Sequence, residues 1–212
     1  MTGKKKKAHK AEAPRPYHHG DLRAALIQAG EVVLRREGVA RLGMRAVTRE
    51  AGVSHTAAKP HFGSLDGLRA EIAAKGFHKL AEACEATANI QAMRPRRIAS
   101  ARAYTHFAFA NSELFELMFR HELIDMTQPA LVEATARVVR ALAGPLAEKS
   151  RSDELGRDGA IRMAAGWAFV HGLAVLVVEK RLRAVVKRAP EFSGSLELAD
   201  AVVDSVSLRI AR

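Results

Sequence analysis

The chain has 212 residues, of which 48% are hydrophobic, so it is long and apolar enough to bury a core and is not a disordered protein. Its 34 Lys and Arg exceed its 23 Asp and Glu, and the formal net charge of +11 favours a polyanionic partner such as nucleic acid. Its one cysteine, Cys84, excludes an intrachain disulfide, fits a reducing cytoplasm, and is expected to pack as a small buried hydrophobe.

Residues 1–16 show no periodicity and carry six Lys and Arg against one Glu. They predict a disordered basic arm, which either only keeps the chain soluble or also reaches DNA phosphates or the minor groove. No apolar run follows this basic start, so we expect no signal peptide and a cytoplasmic protein.

The rest of the chain shows helical periodicity throughout, without a strand pattern or an internal repeat, and predicts an all-α fold of about nine helices. We place them near residues 20–37, 44–51, 54–60, 64–90, 98–110, 112–119, 129–146, 159–187 and 191–209. Gly144 and Pro145 are expected to kink or break the seventh helix. The apolar stretch 164–178 is shorter than a membrane span, so it predicts a buried helix.

One stretch, MRAVTREAGVSHTAAKPHFGSLDGL (44–68), predicts a helix-turn-helix. Met44, Val47 and Ala51 give its first helix an apolar face, Gly52 allows a sharp turn, and Ser54 is a good N-cap for the second helix. A second helix of this kind normally lies in the major groove of DNA.

The predicted DNA-binding residues lie on these two helices. Thr56 can hydrogen-bond a base or a phosphate, Ala57 offers a methyl group to thymine, and Lys59 is a phosphate-binding charge. The alternative is that these are ordinary solvated polar residues. The full set is Arg45, Arg49, Ser54, His55, Thr56, Ala57, Lys59 and His61.

Several stretches, in order along the chain, resemble the TetR family of transcriptional regulators. They are YHHGDLRAALIQAGEVVLRREG (17–38), the helix-turn-helix, and HFGSLDGL (61–68). AYTHFAFANSELFELMF (103–119) and AAGWAFVHGLAVLV (164–177) resemble the subgroup whose regulatory domain is named for a Trp-His-Gly signature, here Trp167, His171 and Gly172.

The resemblance implies a DNA-binding domain over 17–64 and a larger helical domain over 65–212 for ligand binding and dimerisation. It implies a homodimer that reads a palindromic operator, a four-helix interface made by the last two long helices, and a small apolar or aromatic effector. No cofactor, metal or membrane is implied. Bulky residues on facing helices are candidates for the effector pocket, although they are also expected of an ordinary core: Phe107, Phe115, Met118, Phe119, Met163, Trp167 and His171.

Three positions depart from the family pattern. Lys59 stands where a phosphate-binding Tyr is usual, Pro60 replaces a polar or aromatic residue, and Leu65 replaces a phosphate-binding Lys. Because proline removes an N–H and crowds the carbonyl four residues earlier, we expect the second helix to be short or to end near Pro60. The leading hypothesis is a ligand-responsive regulator, more specifically a repressor, and the alternative is a dimeric ligand-binding protein with a degenerate DNA-binding head. The sequence contains no catalytic triad pattern, P-loop or dinucleotide fingerprint, so we do not expect an enzyme.

Overall fold

A computed structural model describes the backbone of residues 19–147 and 156–209 and the side chains of 22–143 and 156–206. Within these ranges the fold is all-helical, with ten α-helices and one 3-10 turn. The helices are α1 (His19–Glu37), α2 (Met44–Glu50), α3 (His55–Phe62), α4 (Leu65–Glu85), α5 (Met93–Ala110), α6 (Ser112–Met118), α7 (Pro129–Ala147), α8 (Arg157–Val178), α9 (Arg183–Val186) and α10 (Ser195–Arg209), with the 3-10 turn at Val39–Arg41. The predicted basic arm, 1–16, lies outside the described residues.

The first three helices share one apolar core with the rest of the molecule. Leu26 of α1, Val47 of α2 and Ala58 of α3 are fully buried and belong to the same cluster as Ile72 of α4. α1 and α4 approach closely, because a Cβ added to Gly30 would lie 2.4 Å from Cδ1 of Ile72. The helix-turn-helix is therefore braced directly by the body of the protein.

The larger body is built around one packed pair of helices and one group of three. α4 packs along α7, and α5 packs along both α8 and α10. A smaller apolar cluster, Leu173, Val177, Ala199 and Val203, joins α8 to α10. Cys84 is buried as expected, and burial raises the pKa of its thiol to about 11.

The predicted helix 159–187 is wrong at its C-terminal end, because α8 stops at Val178. Lys180 adopts a left-handed conformation with φ 61°, the N–H of Lys180 bonds the carbonyl of Val177 at 3.0 Å, and the N–H of Arg181 bonds that of Leu176 at 2.9 Å. This pair of bonds is a Schellman motif, which is usually built on glycine. The sequence hides the stop because a lysine occupies the glycine position, and α9 follows as a separate turn.

One subunit alone does not bury the helix 164–178, which the sequence predicts to be buried. Only 22% of the most apolar 18-residue window of α8 is buried, and Ile161 and Trp167 are 57% and 47% exposed. By length and composition alone, α8 is the one helix of the described part that could cross a membrane. The sequence pattern shows that this helix is apolar, but it does not show whether other helices of the same chain pack over it.

α3 is short, as predicted, but proline breaks neither α3 nor α7. α3 continues through Pro60 to Phe62, and α7 continues through Pro145 to Ala147, so neither helix is broken there. The carbonyl of Thr56, which loses its helical partner to Pro60, belongs to an exposed residue that water can reach. α5 starts at Met93, earlier than predicted, because Pro95 is tolerated in a first helical turn.

Candidate DNA-binding surface and effector site

The turn between α2 and α3 is formed as the sequence predicts. Gly52 has φ 69°, and the N–H of Val53 bonds the carbonyl of Thr48 at 3.0 Å. The hydroxyl of Thr48 bonds back to the carbonyl of Met44 at 3.0 Å, and Val47 is fully buried. These contacts fix the angle between α2 and α3.

The ends of α3 are held differently from each other. Ser54 occupies the N-cap position, but its hydroxyl lies 3.1 Å from the hydroxyl of Thr56 and makes no cap bond to the backbone. At the other end, Gly63 has φ 67° and ends α3, and Ser64 caps α4 by accepting from the N–H of Gly67 at 3.1 Å. A free N-cap hydroxyl beside Thr56 leaves two hydroxyl groups on the exposed side of the helix.

The exposed face of α3 carries the predicted recognition residues. His55, Thr56 and Lys59 are exposed, and Thr56 and Lys59 are three residues apart, so they lie on one side of the helix. Ala57 and His61 are half-buried, while Ala58 is fully buried against the core. Pro60 is exposed too, so it adds to the exposed face of α3 and does not turn the neighbouring residues away from that face.

Arg45 and Arg49 lie one turn apart on the exposed side of α2. Neither of them, nor Lys59, forms an ion pair with any carboxylate of the described residues. By contrast, Arg36 is held by Glu37 at 2.8 Å and by Glu50 at 2.9 Å. The surface formed by α2 and α3 therefore presents three cations that form no ion pair with a carboxylate of the described residues, although Arg49 lies near enough to Glu37 to lower the pKa of that carboxyl.

An aromatic cluster forms where α4, α5, α6 and α8 meet. The ring of His171 lies 4.4 Å from that of Phe119, 5.5 Å from Phe115 and 6.0 Å from Trp167. Phe115 and Phe119 are 4.9 Å apart. Four of the seven predicted pocket residues thus meet in one place.

The remaining three predicted pocket residues lie around this cluster. Phe107 and Met118 are buried, and Met163 is half-buried one turn before Trp167 on α8. The packing beside Met118 is tight, because a Cβ on Gly76 would lie 2.7 Å from its sulfur. In this structure the cluster is filled by its own side chains at that end.

Sequence reasoning missed Tyr104, which is fully buried in the cluster. Its hydroxyl lies 3.0 Å from Nδ1 of His171. Burial raises the pKa of Tyr104 well above its usual range, although a side-chain hydrogen bond with Trp167 lowers it, and burial lowers the pKa of His171. The Tyr104 hydroxyl and Nδ1 of a neutral His171 imidazole share one hydrogen bond, whose direction depends on the tautomer of the ring, so Tyr104 orients the ring of His171.

The comparisons with known proteins agree with this geometry. Residues 98–204, half of the chain, match the model of a domain family described as "Tetracyclin repressor-like, C-terminal domain". The chain belongs to the TetR family.

Solved structures of similar proteins cover nearly the whole TetR-family chain. A protein of unknown function from Rhodococcus sp. RHA1 is 30% identical, with a TM-score of 0.72 over 92% of this chain and 97% of that one. PfmR, a TetR-family transcriptional regulator from Thermus thermophilus, is 17% identical, with a TM-score of 0.60 over 87% and 97%. The multidrug-binding protein EbrR, solved with imidazole, is 23% identical, with a TM-score of 0.52 over 86% and 93%. Among proteins with curated descriptions, none matches the chain.

Two further residues support the DNA-reading head of this TetR-family protein and escaped sequence analysis. Arg69 of α4 donates to the carbonyl of Leu42, just before α2, at 3.2 Å. The guanidinium of Arg23 on α1 lies 5.8 Å from the ring centre of Phe62, the last residue of α3. Only the folded packing of α1 and α4 around the head brings these arginines into contact with it, so no local pattern could reveal them.

Proposed function

We propose that this protein is a ligand-responsive repressor that binds a palindromic operator as a homodimer in the cytoplasm. The observation that carries the proposal is the exposed surface of α2 and α3, where Arg45, Arg49 and Lys59 stand without ion-pair partners among the described carboxylates. Uncompensated cations beside a helix-turn-helix are suited to the phosphates of DNA.

In this proposal α3 enters the major groove. Thr56 and His55 read base edges, the methyl group of Ala57 meets a thymine methyl, and Lys59 and His61 bind phosphates. Arg45 and Arg49 bind the backbone on one side. The hydroxyl of Ser54, which caps no backbone N–H, is free to join Thr56 in hydrogen bonding.

The proposed dimer uses the exposed side of α8. Ile161, Ala165, Ala168 and Gly172 are exposed and fall on one stripe of the helix, which we call the α8 stripe. Three of its four residues are small, so a second α8 can approach closely, and a two-fold dimer covers each stripe with its copy. The proposal assigns this apolar face to subunit contact and not to a membrane.

The proposed effector is a small apolar or aromatic molecule that enters the aromatic cluster. Trp167 forms its exposed edge, and Phe115, Phe119 and His171 form its interior. EbrR, a protein of similar fold, binds multiple drugs, which is in keeping with a cluster of this composition. The assignment of the chain to the Trp-His-Gly subgroup belongs to the same proposal.

α6 is the element through which an effector would reach the DNA-binding head. It carries Phe115 and Met118 into the cluster and also contacts α1 and the 3-10 turn before α2. A ligand that moves Phe115 therefore displaces a helix that touches the support of the head. This gives the effector a physical route to change the separation of the two heads.

One observation favours the second candidate, a dimeric ligand-binding protein with a degenerate head. Leu65, at the start of α4, is a partly buried apolar residue at a position where the family usually places a phosphate-binding lysine. Each lost phosphate contact lowers the salt slope of DNA binding by roughly one unit. Weak binding with a shallow salt dependence would be the sign of a head that no longer functions.

Footprinting on the DNA upstream of the protein's own gene, at near-physiological salt, separates the two candidates. The full-length protein and a variant lacking residues 2–16 are compared side by side. Protection of a palindrome supports the repressor, and weaker protection by the shortened variant assigns a role to the basic arm. No protection by micromolar full-length protein would overturn the repressor and favour the ligand-binding protein.

A further inference from the structure

A cavity lies away from the aromatic cluster, between the end of α5, the end of α8, α9 and the start of α10. Its volume is about 740 Å³, within the range of roughly 300–1,000 Å³ typical of small-molecule pockets. Phe109, Val177 and Leu196 give it an apolar wall, and Phe109 is 52% exposed. None of the seven predicted pocket residues lines it.

The rim of this cavity is cationic. Lys180, Arg183 and Lys187 line it, and none of them forms an ion pair with a carboxylate of the described residues. Two carboxylates, Glu197 and Asp200, also line the cavity, so its three cations exceed its acidic residues by one, and both carboxylates are held by other side chains. Glu197 accepts from the N–H and hydroxyl of Ser193 at 2.7 and 2.6 Å, and Asp200 lies 3.0 Å from Nε2 of His106.

Lys180 holds its place in the rim at a backbone cost. Its left-handed conformation, φ 61°, is one that glycine adopts without strain and that costs other residues about 1–2 kcal/mol. Because the Schellman turn after α8 needs this conformation, the turn directs a lysine side chain to the cavity where a glycine would suit the backbone better. Lys180 therefore both ends α8 and supplies a positive charge to the rim of the cavity.

On α8, the wall of the cavity lies away from the proposed dimer contact. Val177 in its wall follows Ala168 of the α8 stripe by nine residues, which is about 180° around a helix that turns roughly 100° per residue. The stripe and the cavity thus lie on opposite sides of α8.

We propose that this cavity binds a small amphipathic carboxylate, with its apolar tail against Phe109, Val177 and Leu196 and its ionised head among Lys180, Arg183 and Lys187. An apolar wall with a cationic rim matches a molecule that has one anionic end and one apolar end. The site is separate from the aromatic cluster in which the proposed effector would bind.

Calorimetric titration of the full-length protein with decanoate tests the proposal, with decanol and acetate as comparison ligands. Decanoate should bind saturably and at least about fivefold more tightly than decanol, because each partly exposed ion pair adds a modest gain, and acetate should not bind measurably. Lys180→Gly and Arg183→Gln should each weaken decanoate severalfold. Lys180→Gly should do so without lowering Tm, since glycine suits that turn, which separates lost binding from lost folding.

Arg181→Gln is the matched control, because Arg181 pairs with Glu179 and does not line the cavity. It should leave decanoate affinity unchanged. Several outcomes would overturn the proposal: no saturable binding, equal binding of decanol, equal weakening by Arg181→Gln, or loss of binding in His171→Ala with none in Lys180→Gly. The last of these would place the ligand in the aromatic cluster instead.

Discussion

Thr56 and Lys59 stand side by side on α3 but have different chemistry. A hydroxyl on the inner part of the exposed face can donate to or accept from a base edge, whereas an ammonium group without a carboxylate partner in the described structure is suited to any phosphate. If α3 enters a major groove, the first residue carries sequence information and the second carries affinity alone.

Lys59→Ala should weaken binding to operator and unrelated DNA by the same factor and reduce the salt slope by about one unit. Thr56→Ala should instead reduce the difference in binding free energy between operator and unrelated DNA, by roughly 1–3 kcal/mol for a lost base contact. Equilibrium binding at several salt concentrations measures both effects. Arg140→Ala, at an exposed position on α7, is the control, and the reverse pattern of effects would show that the two roles are exchanged.

At the scale of helices, the contact between α3 and α4 depends on one glycine. A Cβ on Gly67 would lie 2.1 Å from the carbonyl oxygen of Phe62, which is a backbone atom and cannot rotate aside. Gly67→Ala should therefore push away the end of α3, lowering the free energy of unfolding by about 1–3 kcal/mol and weakening DNA binding. Chemical denaturation and a DNA-binding titration measure the two effects.

Gly166→Ala provides a control of opposite sign, since nothing lies within 4 Å of a Cβ at Gly166 in α8. Alanine in a helix interior is favoured over glycine by roughly 0.5–1 kcal/mol, so this variant should be as stable as the wild type or more so. If Gly67→Ala and Gly166→Ala lose the same amount of stability, the close contact between Gly67 and Phe62 is not the reason that Gly67→Ala destabilises the protein.

α1 and α4 are also joined through a buried carboxylate. Glu31 is 8% exposed and accepts from Lys75 and from Lys79, the latter at 2.5 Å. Burial alone would raise the pKa of Glu31, but the hydrogen bonds from the two lysines lower it more, so the net shift is downward. A lowered carboxyl pKa stabilises the fold above the pKa of the unfolded chain, and this stability is lost as pH falls through the lower folded value.

Glu31→Gln should lower the free energy of unfolding at pH 7 by about 1 kcal/mol, a modest value because both lysines are about two-fifths exposed. The difference between wild type and variant should begin to shrink below about pH 4, where Glu31 of the unfolded chain takes up a proton, and should go on shrinking as pH falls through the lower pKa of the folded state. Denaturation curves from pH 3 to 8 check this. A difference that stays constant across that range would mean that the charge of Glu31 contributes nothing.

Local sequence signals predicted local structure well and packing poorly. The Gly52 turn, the apolar face of α2 and the helical periodicity of the chain follow from short patterns, and all are present in the described residues. The end of α8 could not be predicted from a short pattern, because Lys180 adopts a left-handed conformation that lysine does not usually adopt. Of the aromatic cluster, the sequence indicated Phe115, Phe119, Trp167 and His171 but not Tyr104, since contacts between distant helices leave no periodic trace.

For the whole molecule, the exposed side of α8 is the feature that one subunit does not explain. An apolar helix with Ile161, Ala165, Ala168 and Gly172 in contact with water is costly, and covering that stripe with a second copy removes the cost. Two heads held by one interface also bind a palindrome far more tightly than one head does, because the second head binds as part of the same complex.

Ala168→Arg should therefore shift the protein from dimer to monomer, raising the dissociation constant of the dimer by at least about tenfold, because an arginine in a close-packed apolar interface has no partner. Its helical circular dichroism should stay unchanged, since Ala168 is exposed within its own subunit. Operator affinity should fall together with dimer content. Sedimentation velocity and footprinting at matched concentrations measure these quantities, with Val132→Arg, an exposed apolar position on α7, as the control. A fully dimeric Ala168→Arg protein would move the subunit interface away from the α8 stripe, whereas a monomer that still protects a palindrome would show that the two heads do not need that interface to read DNA.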